Sequence, residues 1–310
     1  MPWSEATKKM AEPRVLVEYK NIGILPSQAS GIPDSNTTEE RMNEHYVPQL
    51  AAILRAAGDH QFHTLPFIGY AWDSTRYEFA FLFEYPSLAA DRKPQSLWDC
   101  LLSAEPMFKP TLKQRFRLAQ SIARSIGALH ANGWLHKSIR AHAIKFFFQI
   151  DGKTRDLDNL YLTNFELSRP FSAISQVDLH APDIEHDIYR HPDRYGLPSV
   201  RFSKTHDVYS LGVVLLEIGL WQTARRIHDD IVKYEFKDNP LPGGVPAKVI
   251  KAAYIQEAKT RLGHRMGSTY QEAVLSCLTG ELDMYLGSRH FAHEFERRIV
   301  QKLGIEALLS

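Results

Sequence analysis

The chain is poor in the features that announce chemistry. It has two cysteines in 310 residues, Cys100 and Cys277, far apart and without C-x-x-C spacing, so neither a thiolate metal site nor a disulfide framework is indicated. A reducing, cytoplasmic setting is therefore the expectation. Thirty-seven Lys and Arg stand against thirty-six Asp and Glu, a formal charge of +1. That balance gives no long-range field to attract nucleic acid or an acidic membrane surface, so neither is expected as a partner. No apolar stretch is long enough to span a bilayer. The longest, "LGVVLLEIGLW" (Leu211 to Trp221), carries Glu217 in its middle. Fourteen histidines occur without H-E-x-x-H or comparable spacing, so no metal site is expected.

What is present is a strand-rich N-terminal part followed by helices. "RVLVEYK" (Arg14 to Lys20) reads as a β-strand. The turn-rich loop after it leads to a helix capped by Thr37 or Thr38 and ending at Gly58, with Pro48 as a kink. "LPFIGYAWD" and "YEFAFLFEYP" follow as two strands, the second alternating Tyr77, Phe79, Phe81 and Phe83. In "TLKQRFRLAQSIARSIGALHANG", Ala119, Ile122, Ala123 and Ile126 fall at i, i+3, i+4 and i+7, which predicts a core helix stopped by Gly133. Two short strands, "AIKFFFQ" and "LYLTNF", flank a polar turn and should pair. An irregular segment from Ser168 to about Thr205 precedes a helix marked by Leu211, Val214, Leu215 and Ile218, apolar nearly all round and so expected to be buried. The rest is helical, with a break at "NPLPGGVP". The fold class expected is α+β.

Four motifs in this order resemble the protein kinase fold from about Val15 to the C-terminus. "LHANGWLHKSIRAHAI" is similar to the kinase catalytic loop, "NFE" (Asn164 to Glu166) stands where the family has Asp-Phe-Gly, "HPD" (His191 to Asp193) stands where it has Ala-Pro-Glu, and Asp207 opens the buried helix. In wording, "YRHPDRYG", "SLGVVLLEIGLW" and "GHRMGSTYQEAVLSCL" are most similar to the kinase-like domains of filamentous fungi found behind HeLo domains in prion-inhibition and propagation proteins. The resemblance implies a two-lobe fold: a reduced N-terminal β lobe over residues 1–86 and a mainly helical C-terminal lobe over residues 87–310.

The same resemblance shows what has been lost. Phosphoryl transfer needs a carboxylate to orient the acceptor, metal ligands to bridge the phosphates, and a cation on the phosphates. Here Ser138 replaces the aspartate, Arg140 the lysine, Ala143 the metal-binding asparagine, and Asn164 the main metal carboxylate. His136 survives, with a packing role in the family. Lys20 matches the strand lysine that touches phosphate, or else is a solvated lysine ending an edge strand. Its helix partner is absent: Gln49, Leu50 and Ala51 occupy the expected level, with Glu44 the nearest acid, and the first glycine of the chain is Gly23, so no Gly-rich loop precedes the strand. Either the first two strands are missing or the gene product is truncated. Asp193 and Arg265 resemble the family's buried ion pair, and Arg190 and Arg194 are either structural or an anion contact. A Ser138–His136 pair with Asp151 or Asp158 could suggest a triad, but no G-x-S-x-G elbow supports it.

The expectation is a catalytically inactive kinase-like domain, a pseudokinase, without a cofactor, with weak or absent ATP binding and an unidentified protein partner, within fungal self-recognition or cell-death signalling. The alternatives are a residual ATP-binding kinase of unusual mechanism and a decayed paralogue without a ligand.

Overall fold

The computed structural model describes residues 14–21, 46–56, 62–73, 75–76, 78–103, 109–172, 183–195, 200–236 and 244–304. The first three strands, β1 (Val15–Asn21), β2 (Phe67–Asp73) and β3 (Glu78–Glu84), form one antiparallel sheet of order β1-β3-β2. β3 is central because its alternate residues Phe79, Phe81 and Phe83 make a continuous buried face. Registered against them on the same face are Leu16, Glu18 and Lys20 of β1. A helix, α1 (Val47–Ala56), packs against β2 through its buried Val47, Leu50, Ala51 and Leu54. Pro48 is its second residue, in the first turn where a missing N–H costs nothing, so it starts the helix and does not kink it. The expected cap at Thr37 or Thr38 and the stop at Gly58 lie outside the described residues.

The remainder is mainly helical. β4 (Gln95–Ser96) leads into α2 (Leu97–Leu102), whose first turn is closed by a capping box between Ser96 and Asp99. α3 (Leu112–Ala131) starts on the same device, Thr111 with Gln114, and buries the predicted stripe of Ala119, Ile122, Ala123 and Ile126. After Gly133, at φ 77°, come β5 (Trp134–Leu135), β6 (Ile144–Phe146), β7 (Tyr161–Leu162) and β8 (Arg169–Pro170). β6 pairs with β7 as expected and also with β4, while β5 pairs with β8. "AIKFFFQ" is strand for only three residues, since Ala143 already belongs to a 3₁₀ turn.

The segment read as irregular contains β8, α4 (Ile184–Asp187) and a 3₁₀ turn at Pro192–Arg194. α5 (Lys204–Leu220) then runs through the middle of the core, with fifteen consecutive residues from His206 to Leu220 buried. Burying each of its Leu, Val and Ile side chains is worth ~1.5–3 kcal/mol, which makes this helix the largest single contributor to the apolar core. α6 (Ala224–Glu235), α7 (Ala247–Glu257), α8 (Gly263–Met266), α9 (Ser268–Thr279) and α10 (Phe291–Phe295) surround it. α9 crosses α5 so closely that a Cβ built on Gly212 would lie 2.6 Å from the Cβ of Cys277. No helix among the described residues is long and apolar enough to cross a membrane.

Candidate ligand cleft

The site begins with the period of a strand. Glu18 and Lys20 are two residues apart, so both project from the same face of β1, towards the turn Phe165–Leu167. That face is mostly apolar, and two charges placed there must find partners. They find them on one short piece of backbone. The Glu18 carboxylate accepts the N–H of Asn164 at 2.8 Å and that of Phe165 at 2.9 Å. The Lys20 ammonium, 5% exposed, donates to the carbonyls of Glu166 and, at 3.1 Å, Ser168. A carboxyl group therefore holds the amides that open the turn and an ammonium holds the carbonyls that close it, the order a helical turn favours.

Burial dominates the protonation of both groups. It pushes Glu18 up from the ordinary 4.5 to about 7, although the two amides pull the other way. It brings Lys20 down from 10.5 to about 8, with the charge of Lys137 acting in the same sense. Lys20 is neither a solvated edge lysine nor exposed to a ligand, because β1 lies directly on the turn that the lysine binds.

The floor of the cleft is set by Asp207. Buried at the start of α5, it accepts the N–H of His136 at 2.8 Å and of Lys137 at 2.9 Å, and faces His130 Nε2 at 3.0 Å. Burial pushes its pKa up, but these donors and the neighbouring histidines hold it below the ordinary carboxylate value. Lys137 (φ 68°) and Asn164 (φ 69°) are both left-handed without being glycine, and each has its N–H fixed by a buried carboxylate, Asp207 and Glu18 respectively. Strained backbone of this kind persists where surrounding contacts over-determine it.

Between these two anchors sit the residues singled out from the sequence. His136 is fully buried. Its Nε2 lies 3.1 Å from the Thr163 carbonyl, and its Nδ1 accepts the Ser138 N–H at 3.2 Å, so both nitrogens are committed to backbone. Burial lowers its pKa, which keeps the ring neutral. Ser138 Oγ donates to Glu166 Oε1 at 3.3 Å. Ala143 offers only its carbonyl, which accepts both the N–H and the hydroxyl of Thr163, at 2.8 and 3.0 Å. The Asn164 side-chain oxygen faces the same hydroxyl at 3.2 Å. Among the described residues, Glu18 and Glu166 are the carboxylates of this corner, the first engaged by two backbone N–H groups and the second by the Ser138 hydroxyl.

Other expectations are corrected by the geometry. Asp193 and Arg265 do not pair: Arg265, on the exposed side of α8, donates to the Leu220 carbonyl at 2.9 Å, while the half-exposed Asp193 carboxylate lies 3.3 Å from His191. The Ser-His-Asp triad fails as well. Asp151 closes its own turn on Lys153 and Thr154, Asp158 faces Arg117, and His136 has no nitrogen to spare. Glu44 lies outside the described residues. Sequence reasoning overlooked Glu18, although its spacing from Lys20 put both on one strand face. It also treated Glu217 only as a charge in an apolar run. Glu217 is completely buried, accepts from the Tyr189 hydroxyl at 2.8 Å and the Ala224 N–H at 2.7 Å, and is raised by burial to about 8, so it is a neutral acid at physiological pH.

No protein-family model matches the chain, and no curated protein matches it either.

Proposed function

We propose that the chain is a catalytically inactive, kinase-like two-lobe domain that acts as a protein-interaction or regulatory module. One observation carries the reading: the two charges on the inner face of β1, Glu18 and Lys20, are both bound to the backbone of Asn164–Ser168. A cation that holds two protein carbonyls is not available to a phosphate. The side chains at the reacting positions agree with it, since Ser138, Ala143 and Asn164 supply neither a carboxylate to orient an acceptor nor a ligand set for magnesium. By its resemblance to the fungal kinase-like domains, the module acts in the cytoplasm on a protein partner of self-recognition or cell-death signalling.

Incubation with γ-labelled ATP and magnesium tests the loss of catalysis. No label should pass to the protein itself or to generic acceptor proteins, because the electrostatic stabilisation that carries this reaction is absent. The double variant Ser138→Asp, Asn164→Asp should remain silent too, since Ala143 and the engaged Lys20 leave the phosphates without ligands. Label transfer by the wild type that disappears in Ser138→Ala would overturn the proposal.

A further inference from the structure

Between the Lys137–Arg140 loop, Leu167 and the His186–Arg194 segment lies a small cavity of about 30 Å³. At ~10–15 Å³ per water-sized centre it has room for a small ion and not for a nucleotide. Its lining is one-sided in charge. Lys137, Arg140, Arg190 and Arg194 contribute four cations, His186, His191 and His206 three imidazoles, and no carboxylate is among the described residues that line it. The neighbouring acids are already engaged: Asp187 pairs with Arg190 at 3.2 Å and so offsets that cation, Asp193 lies beside His191, and Asp207 is held by His130 and the loop backbone. The Arg140 Nε is buried without a hydrogen-bond partner. A buried guanidinium nitrogen without an acceptor is costly, and an anion removes that cost.

His191, Asp193 and His206 also bring three possible metal-ligand atoms within 4.8 Å of one another. A cation does not suit them. His206 Nδ1 already accepts the Ser203 N–H at 2.8 Å, so the neutral ring carries its proton on Nε2 and offers no lone pair there. His191 Nε2 lies 3.0 Å from the Lys251 ammonium. Burial is the main cause that lowers the pKa of both histidines, His206 to about 4, with Lys251 acting in the same sense on His191 and Arg194 on His206 against the opposing pull of Asp193.

We propose that this cavity is a binding site for a tetrahedral oxyanion of the phosphate class, held by Arg140 with Lys137, Arg190 and Arg194. The guanidinium geometry suits phosphate oxygens, and the charge excess supplies the attraction. Inorganic phosphate and a phosphorylated side chain share this chemistry. The cavity shares Ser138 and Leu167 with the cleft, but neither Lys20 nor Glu18 lines it, and binding of phosphate is read out without phosphoryl transfer.

Thermal denaturation of the full chain at constant ionic strength, with sodium phosphate on the order of 10 mM in place of sodium chloride, provides the test. A saturating ligand should raise the melting temperature by ~2–4 °C. The rise should vanish in Arg140→Gln and persist in Arg225→Gln, a half-exposed arginine paired with Asp229 on α6. A rise with inorganic phosphate alone assigns the site to a free anion, whereas a rise with O-phosphoserine assigns it to a phosphorylated side chain. No rise with either, or an equal rise in Arg140→Gln, would overturn the proposal. If Arg140→Gln does not fold, the ³¹P linewidth of phosphate added to the wild type decides: broadening supports the site, and a line as narrow as in buffer refutes it.

Discussion

Glu18 is the residue on which the cleft turns, and it makes stability depend on pH. Its folded pKa, about 7, lies above the ordinary 4.5, so the folded state holds the proton more tightly than the unfolded chain. The resulting contribution to stability is fully present below about 4.5 and is lost as pH rises through about 7. The difference corresponds to at most ~3 kcal/mol. Glu18→Gln keeps one carbonyl oxygen for the amides of Asn164 and Phe165 but cannot ionise. Its melting temperature should therefore fall below that of the wild type at pH ~5 and gain on it by several degrees by pH ~8. A difference that stays flat across this range would mean that Glu18 is not buried against the turn. The residue types at Ser138, Ala143 and Asn164 were legible in the sequence, because whether a side chain carries a carboxylate is a matter of letters. What Lys20 binds was not legible, because its partners are main-chain carbonyls some 146 and 148 positions away, and carbonyls carry no residue signature.

At the scale of elements, α3 and α5 were readable because long helices repeat their apolar pattern several times, while β4, β5, β7 and β8 are two residues each, too short for any period to show. The failed pairing of Asp193 with Arg265 has a different cause. Adjacency in a motif was carried over from a family, whereas in this chain the arginine is turned to the last carbonyl of α5. The two findings predict opposite mutational outcomes near the same helix. Arg265→Ala, which removes one hydrogen bond at an exposed position, should cost under ~1 kcal/mol in a urea titration. Gly212→Ala should cost ~1–3 kcal/mol, because the new methyl meets Cys277 and Leu278 at 2.6–3.2 Å inside a packed core. If the first proved the more damaging, the geometry of α5 with α8 and α9 would be wrong.

For the whole molecule, the α+β class was legible from the order of strand-rich and helix-rich stretches, and the sheet β1-β3-β2 and the buried α5 have the places that order implies. How β1 meets the Asn164–Ser168 turn was not, since it depends on a contact between the first strand and a turn near the middle of the chain, some 146 residues on. That contact is the centre of the functional proposal, and its most direct test is nucleotide binding. A ligand at 100 times its dissociation constant stabilises a folded protein by about 2.7 kcal/mol, enough to move the melting temperature of a chain this size by a few degrees. With Lys20 and Glu18 bound to the turn, millimolar ATP with magnesium should leave the melting temperature of the wild type unchanged. A magnesium-dependent rise that is abolished by Lys20→Ala would contradict the account, because it would show that the lysine leaves the turn and holds a phosphate.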